Sequence, residues 1–313
     1  MRKLATSPLE RMSDGTRPPP GVDERDRSTL PLWLRFHAKR WLNKLIRRPA
    51  TPETGILGDM AKQLRQEVER RLGHRVNAAA LSAPDRVRLT RQEVSDIFSY
   101  LWMEDLLKDA NNPMFDVLFS LSATVAGYGH GLCSDYTDAY SCAKEENSMP
   151  HTWFLQLDFS KASLIGSLQS LQTSRSYFAQ HSFIDLSLGL DDRPQNPADE
   201  DVYWHEVATR IRNFVAAIYP PQTLLLTGES ATEPCFLQAV KAALSDETLI
   251  SVALGPQETA SSTGMAARLL YATSMGAAEF AKRRQEGMAR CNLPPECRGK
   301  KSANEGAGSP KEL

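Results

Sequence analysis

The sequence predicts an α/β protein of two lobes, the second opening on a β-hairpin. Three observations carry this. Apolar residues at helical spacing alternate with short apolar runs of strand length. The hydrophobic period switches from helical to two after residue 150. The order helix, strand, helix, short strand, helix over residues 53–131 is then replayed after residue 200, as in an internally duplicated chain. With 313 residues, 41% of them hydrophobic, the chain can fill a large core, which excludes collagen, coiled coil and wholesale disorder. A net charge of −1 leaves no overall field toward nucleic acid, and no nucleic-acid partner is expected.

Residues 1–29 hold Pro18, Pro19, Pro20, Gly15, Gly21 and a mixed charge run from Asp23 to Arg27, and are expected to be disordered. Residues 30–48 place Leu30, Leu34, Trp41, Leu42 and Leu45 at helical spacing beside Arg35, Lys39, Lys44, Arg47 and Arg48. This basic amphipathic helix is expected to dock on its own domain. Membrane contact or capture by a calmodulin-type partner through the same residues ranks behind docking.

Leu57, Met60, Ala61, Leu64, Val68 and Leu72 make an apolar stripe between Pro52 and Gly73, predicting a helix. Val76 to Leu81 reads as a strand. Thr90 and Glu93 form a capping box ahead of Val94, Ile97, Phe98 and Leu101, which predicts a second helix. After a stop at Leu106 and Leu107, a third helical stretch runs from Pro113 through Met114, Leu118, Leu121 and Val125 to Gly127, Gly129 and Gly131. Residues 53–131 thus read as a partial first lobe and 132–150 as a polar loop.

The second lobe, 151–285, opens with Trp153 to Phe159 and Ala162 to Leu168 as a hairpin, and Phe183 to Leu188 as a further strand. Helix (Val202 to Ile218), strand (Leu224 to Thr227), helix (Phe236 to Leu244), strand (Ile250 to Ala253) and helix (Met265 to Ala281) follow. Residues 286–313, with Lys300, Lys301, Gly, Ser and Pro, read as a disordered tail.

Five cysteines, an odd number, fit a reducing, cytoplasmic setting. The amino terminus lacks the apolar core of a secretory signal, and no run approaches the ~20 residues of a membrane span. A Cys133–Cys142 bridge can reach across the polar loop but is disfavoured by that setting. His130, Cys133, Cys142 and His151 have zinc-ligand chemistry, yet their spacings exceed the short pairs of structural sites, so no metal is expected there. Ser141 to Lys144 matches Ser-x-x-Lys by letter only, and Cys291 and Cys297 lie in the tail.

Several segments, over roughly residues 53–285, carry a family resemblance. Leu224-Leu225-Leu226-Thr227-Gly228-Glu229-Ser230 resembles an adenosine motif in which an apolar strand ends in Gly-Gly-Ser. The run from Ser122 to Gly129 resembles a connecting helix, and Met275-Gly276-Ala277-Ala278-Glu279 a closing helix whose Gly-Ala-Ala allows close approach. In order and spacing they resemble the actin-like ATPase superfamily, specifically the nucleotide-binding domain of seventy-kilodalton heat-shock (Hsp70-like) chaperones. The resemblance implies two ribonuclease-H-like lobes with ATP or ADP and Mg2+ held between them.

The residues depart from that pattern where the phosphates would sit. Glycine-rich hairpin turns cradle phosphate because only glycine lets backbone amides come so near. Here the second-lobe turn reads Asp158-Phe159-Ser160-Lys161-Ala162-Ser163. Asp158 matches the acidic residue near magnesium, and Asp158 and Lys161 read equally as ordinary turn residues. No first-lobe phosphate hairpin is recognisable before residue 53, so that lobe is expected to be incomplete, with an open sheet edge covered by residues 1–52 or by a partner. Ser120 and Leu121 replace the family's Glu-Pro, removing the carboxylate that positions the attacking water.

Gly228, Glu229, Ser230, Asp158 and Ser160 are therefore the candidate nucleotide-cleft residues, with no catalytic residue among them. Ser230 and Glu233 form a capping box whose helix amino terminus would favour an anion, whereas Glu229 would set its charge against phosphates; 227–233 also reads as a plain strand-to-helix turn. The expectation is a degenerate, non-catalytic binding or interaction module with nucleotide affinity weak or lost and an unknown protein partner. The alternative is an active chaperone-type ATPase. About thirty residues follow the last helix, so a peptide-clamping domain of the heat-shock kind is not expected.

Overall fold

The computed structural model describes residues 30–84, 87, 89–108, 118–175, 181–244 and 262–286. The expected disorder of 1–29, the strand at 250–253 and the tail beyond 286 lie outside the described residues. The chain is mixed α/β, and no described helix is long and apolar enough to cross a membrane.

The second half is built around one four-stranded sheet. β5 (Thr152–Phe159), β6 (Leu164–Leu171) and β7 (His181–Asp185) run as an antiparallel meander. Helix α6 (Pro197–Ala216) then crosses over, and β8 (Thr223–Thr227) joins β5 in parallel, giving the order β7-β6-β5-β8. The crossover is dictated by parallel pairing, which a tight turn cannot supply. β5 and β8 are buried along most of their length because both faces of the sheet are covered. On one face Phe159 stacks on Phe236 of α7 (Pro234–Ala243) at 4.3 Å and meets Trp204 of α6 edge-on. On the other lie α4 (Ser120–Gly127) and α8 (Ser262–Glu286), and the Tyr128 hydroxyl donates to the Leu226 carbonyl at 2.9 Å. Leu121, Val125, Leu155, Leu157, Leu225 and Phe236 are buried in this core.

α4 and α8 cross with almost no side chain between them. A Cβ on Gly276 would lie 2.7 Å from the Gly127 amide nitrogen, closer than real Cβ contacts allow. Small residues at the crossing, Ala123 and Ala277 among the buried ones, permit this approach.

The first half is smaller. Helix α1 (Leu30–Leu45) docks on α3 (Arg91–Leu101), and α2 (Pro52–Leu72) packs against α3 as well. The expected capping box of Thr90 with Glu93 forms at the start of α3, a further one of Thr51 with Thr54 starts α2, and Gly73 closes α2 at φ 71°. Of the strand expected at 76–81 only β1 (Ala78–Ala79) is strand, and β2 (Ser82–Ala83) follows just beyond it. They pair in parallel with β3 (Glu104–Asp105) and β4 (Leu118–Phe119) as separate two-stranded ladders.

Four expectations need correction. The apolar stripe of α2 does not face a core: Met60, Leu64, Val68 and Leu72 are exposed and Leu57 and Ala61 only half-buried, while Thr54, Gly55 and Gly58 are buried. Glycine wins because Tyr100 lies flat against Gly58, leaving no room for a Cβ. The polar loop holds helix α5 (Ala139–Ser148), which Asp138 caps by accepting from the Tyr140 and Ser141 amides. Cys133 and Cys142, disfavoured as a pair, are bridged, because Asp138 and α5 turn the loop back until their Cα atoms stand 5.1 Å apart. The stretch read as helix from residue 113 contains strand at 118–119 and helix only from Ser120, while 113–117 lie outside the described residues.

Candidate functional site

The carboxyl ends of β5 and β8 bring the five candidate residues together. Parallel register sets Asp158 beside Thr227, and the Thr227 hydroxyl donates to the Asp158 carboxylate at 2.8 Å. Burial pushes the Asp158 pKa up, against the Thr227 bond that favours the charged form, with Glu229 adding to the rise. Gly228 leaves β8 at φ +105°, a backbone state that suits glycine, and presses on the Phe159 carbonyl. One step on, the Ser230 amide donates to that carbonyl at 3.1 Å.

Ser160 opens the hairpin turn and organises it. Its hydroxyl oxygen accepts from the Ser163 amide at 3.1 Å and the Ala162 amide at 3.3 Å, and its own amide donates to the Ser163 carbonyl. The Lys161 amide donates to the Glu229 carboxylate at 3.2 Å. From the other side the Leu190 and Asp191 amides donate to the Ser160 and Lys161 carbonyls. Gly189 sits against Lys161 to Ser163 so tightly that a Cβ would lie 2.6 Å from the Ser163 nitrogen.

The turn that would cradle a phosphate is thus already satisfied. Its four amides, Ser160 to Ser163, are taken, one of them by a carboxylate of this chain. A triphosphate seated there would have to displace Glu229 or stand against its charge, and Asp158, raised by burial, is poorly suited to holding a divalent cation. The residues present do not fit Mg-ATP at this turn.

The capping box expected at Ser230 is not formed. Residues 229–232 are a turn, α7 begins at Pro234 after Glu233, and Glu233 makes no cap bond but stands 3.8 Å from Arg193. Proline at the first helical position fixes the start there. The helix end expected at Ser230 thus begins only at Pro234.

Sequence reasoning missed the polar chain behind the cluster. The Gln156 amide donates to the hydroxyls of Thr124 at 2.9 Å and Thr227 at 3.1 Å, and its carbonyl accepts from Ser120 at 3.2 Å. Thr124 in turn meets Thr273 of α8 at 2.8 Å. The chain runs from Asp158 through Thr227 and Gln156 to both crossing helices. Its signal was a glutamine in the middle of an apolar strand, where the sheet hides it almost completely.

Two candidates stand apart from the cluster. His130 packs on Phe154, and its pKa is lowered by burial. Cys133 and Cys142 come near Glu146, but as a disulfide they offer no thiolates to a metal. Comparison with models of known protein families and with curated proteins finds no match.

Proposed function

We propose that this chain is a degenerate Hsp70-like member of the actin-like ATPase superfamily that serves as a non-catalytic binding or interaction module. The fold reading draws support from the second-half sheet, an antiparallel hairpin-led meander continued in parallel through a crossover helix, as in a ribonuclease-H-like lobe. It draws further support from the glycine-to-glycine crossing of α4 and α8 at the positions that resemble the family's connecting and closing helices.

One observation carries the functional part: the Lys161 amide, placed where a phosphate would be held, donates to Glu229 of the same chain. An internal carboxylate in place of a ligand anion lets the cleft stay assembled without nucleotide, which suits a scaffold and not a turnover cycle.

Calorimetry with Mg-ATP together with a phosphate-release assay tests this. No heat of binding and background hydrolysis are expected. Micromolar affinity, or turnover that Asp158→Ala abolishes, would instead establish the active ATPase reading, for which the convergence of Asp158, Gly228 and Ser230 is the specific support.

A further inference from the structure

Helix α1 is docked with its polarity reversed. The face against α3 is charged: Arg40 and Lys44 both reach the buried Asp96, Lys44 at 2.8 Å. The apolar side faces outward, with Trp41 65% and Leu45 59% exposed beside Leu34 and Leu42, and Ile46 following the helix end. At 100° per residue Leu34, Trp41, Leu45 and Leu42 fall within an arc of roughly 100°. A helix recruited only to cover its own domain would bury that arc.

Charge says what the arc meets. Residues 30–48 contain six Lys or Arg and no acidic residue. Asp96 uses two of them, which leaves Arg35, Lys39, Arg47 and Arg48, all exposed, and Arg47 stacks over the exposed Trp102 at 4.6 Å. Long cationic stems flanking a Trp and Leu face can keep their heads among lipid phosphates while the apolar groups sink below them.

We propose that α1 is an in-plane membrane anchor, laying its Leu34–Trp41–Leu42–Leu45 face into the interfacial layer of an anionic bilayer. A flat surface needs only the outward arc. A groove that encloses the helix, as in calmodulin-type capture, would also need the flank that Asp96 holds on α3. No described helix can span a bilayer, so the contact lies along the surface. This inference is independent of the nucleotide-cleft reading.

The test is flotation of the full chain with vesicles of phosphatidylcholine containing about 30% phosphatidylserine, against pure phosphatidylcholine, at 50 and 200 mM salt. Binding to the anionic vesicles, at least tenfold weaker without phosphatidylserine or in W41A/L45A and weaker at the higher salt, is expected, with the melting temperature of W41A/L45A unchanged. Three results would each overturn the proposal: no flotation with anionic vesicles, flotation untouched by W41A/L45A, or a lowered melting temperature showing that the arc packs within the fold. Calcium-dependent binding of calmodulin without vesicle binding would overturn it too, by assigning the face to a protein.

Discussion

Gly127 and Gly276 stand backbone to backbone where α4 crosses α8. A methyl on Gly276 would lie 2.7 Å from the amide nitrogen of Gly127, and one on Gly127 would lie 3.1 Å from that of Gly276. Glycine inside a helix normally costs stability, so its presence on both helices marks a contact that no larger residue can make.

Replacing Gly276 by alanine is therefore expected to destabilise the chain by about 1–3 kcal/mol, the range of core overpacking. In an ordinary exposed helix the same change would stabilise by up to about 1 kcal/mol. Urea unfolding decides by sign alone.

The Gln156 network should be intolerant of an apolar substitute. Gln156→Leu keeps the volume but removes the bonds that the Thr124 and Thr227 hydroxyls accept, leaving them Thr273 and Asp158, and is expected to cost about 1–3 kcal/mol, two hydrogen bonds at their usual net worth. The double change Gln156→Leu with Thr124→Val should cost less than the two single changes summed, because they share one bond, and a thermodynamic cycle measures that coupling.

Asp158 gives a dependence on pH. Its pKa is raised in the folded state, so the native chain holds the proton more firmly than the unfolded one, and stability falls as pH rises from about 4 through the folded value. Asp158→Asn removes this titration while still accepting from Thr227. It is expected to match or exceed the parent in stability at pH 7, with the advantage vanishing below about pH 4. An advantage that grows in acid would contradict the assignment of burial as the cause.

Glu229→Ala should uncover the Lys161 amide without unfolding the sheet. Loss of one charge-assisted bond worth about 1.5 kcal/mol predicts that exchange of that amide with solvent quickens on the order of tenfold. An unchanged rate would mean that the carboxylate does not protect it.

The disulfide closes a short loop, so Cys142→Ser is expected to cost about 2–3 kcal/mol under oxidising conditions by loop entropy. Under reductant the parent should fall to the same level. Melting temperatures with and without dithiothreitol provide the comparison.

Periodicity made the second half readable because every element there answers to one sheet. β5 and β6 lie close to where the period of two places them, the α6–β8–α7 order follows the predicted apolar runs, and among the described strands only β7 (His181–Asp185) sits earlier than expected, against a strand read at 183–188. The first half resisted. Its longest stripe, Leu57 to Leu72, has helical spacing but points mostly outward, because glycine at 55 and 58 offers a closer approach than leucine. Spacing fixes a helix, not which side it buries.

At the cluster, the grouping of Asp158, Gly228 and Ser230 comes from the family resemblance, and the parallel register of β5 and β8 is what sets them side by side. The acceptor role of Glu229 was not legible, since it arises from a contact across 68 residues. The hidden Gln156 was visible only as an oddity in an apolar strand. α5 and the bridge it enables escaped notice because short polar helices depend on a cap, here Asp138, more than on a stripe.

The α4–α8 crossing also orders the birth of the molecule. A ribosome delivers the wall for Ala123 and Gly127 some 150 residues after it delivers those residues themselves, as the separation of Thr124 from Thr273 records. Until that final segment leaves the exit tunnel, the nascent polypeptide carries a bare, backbone-exposing groove along α4. A stop codon anywhere before residue 262 thus removes more than an end: it leaves the middle of the sheet without its cover.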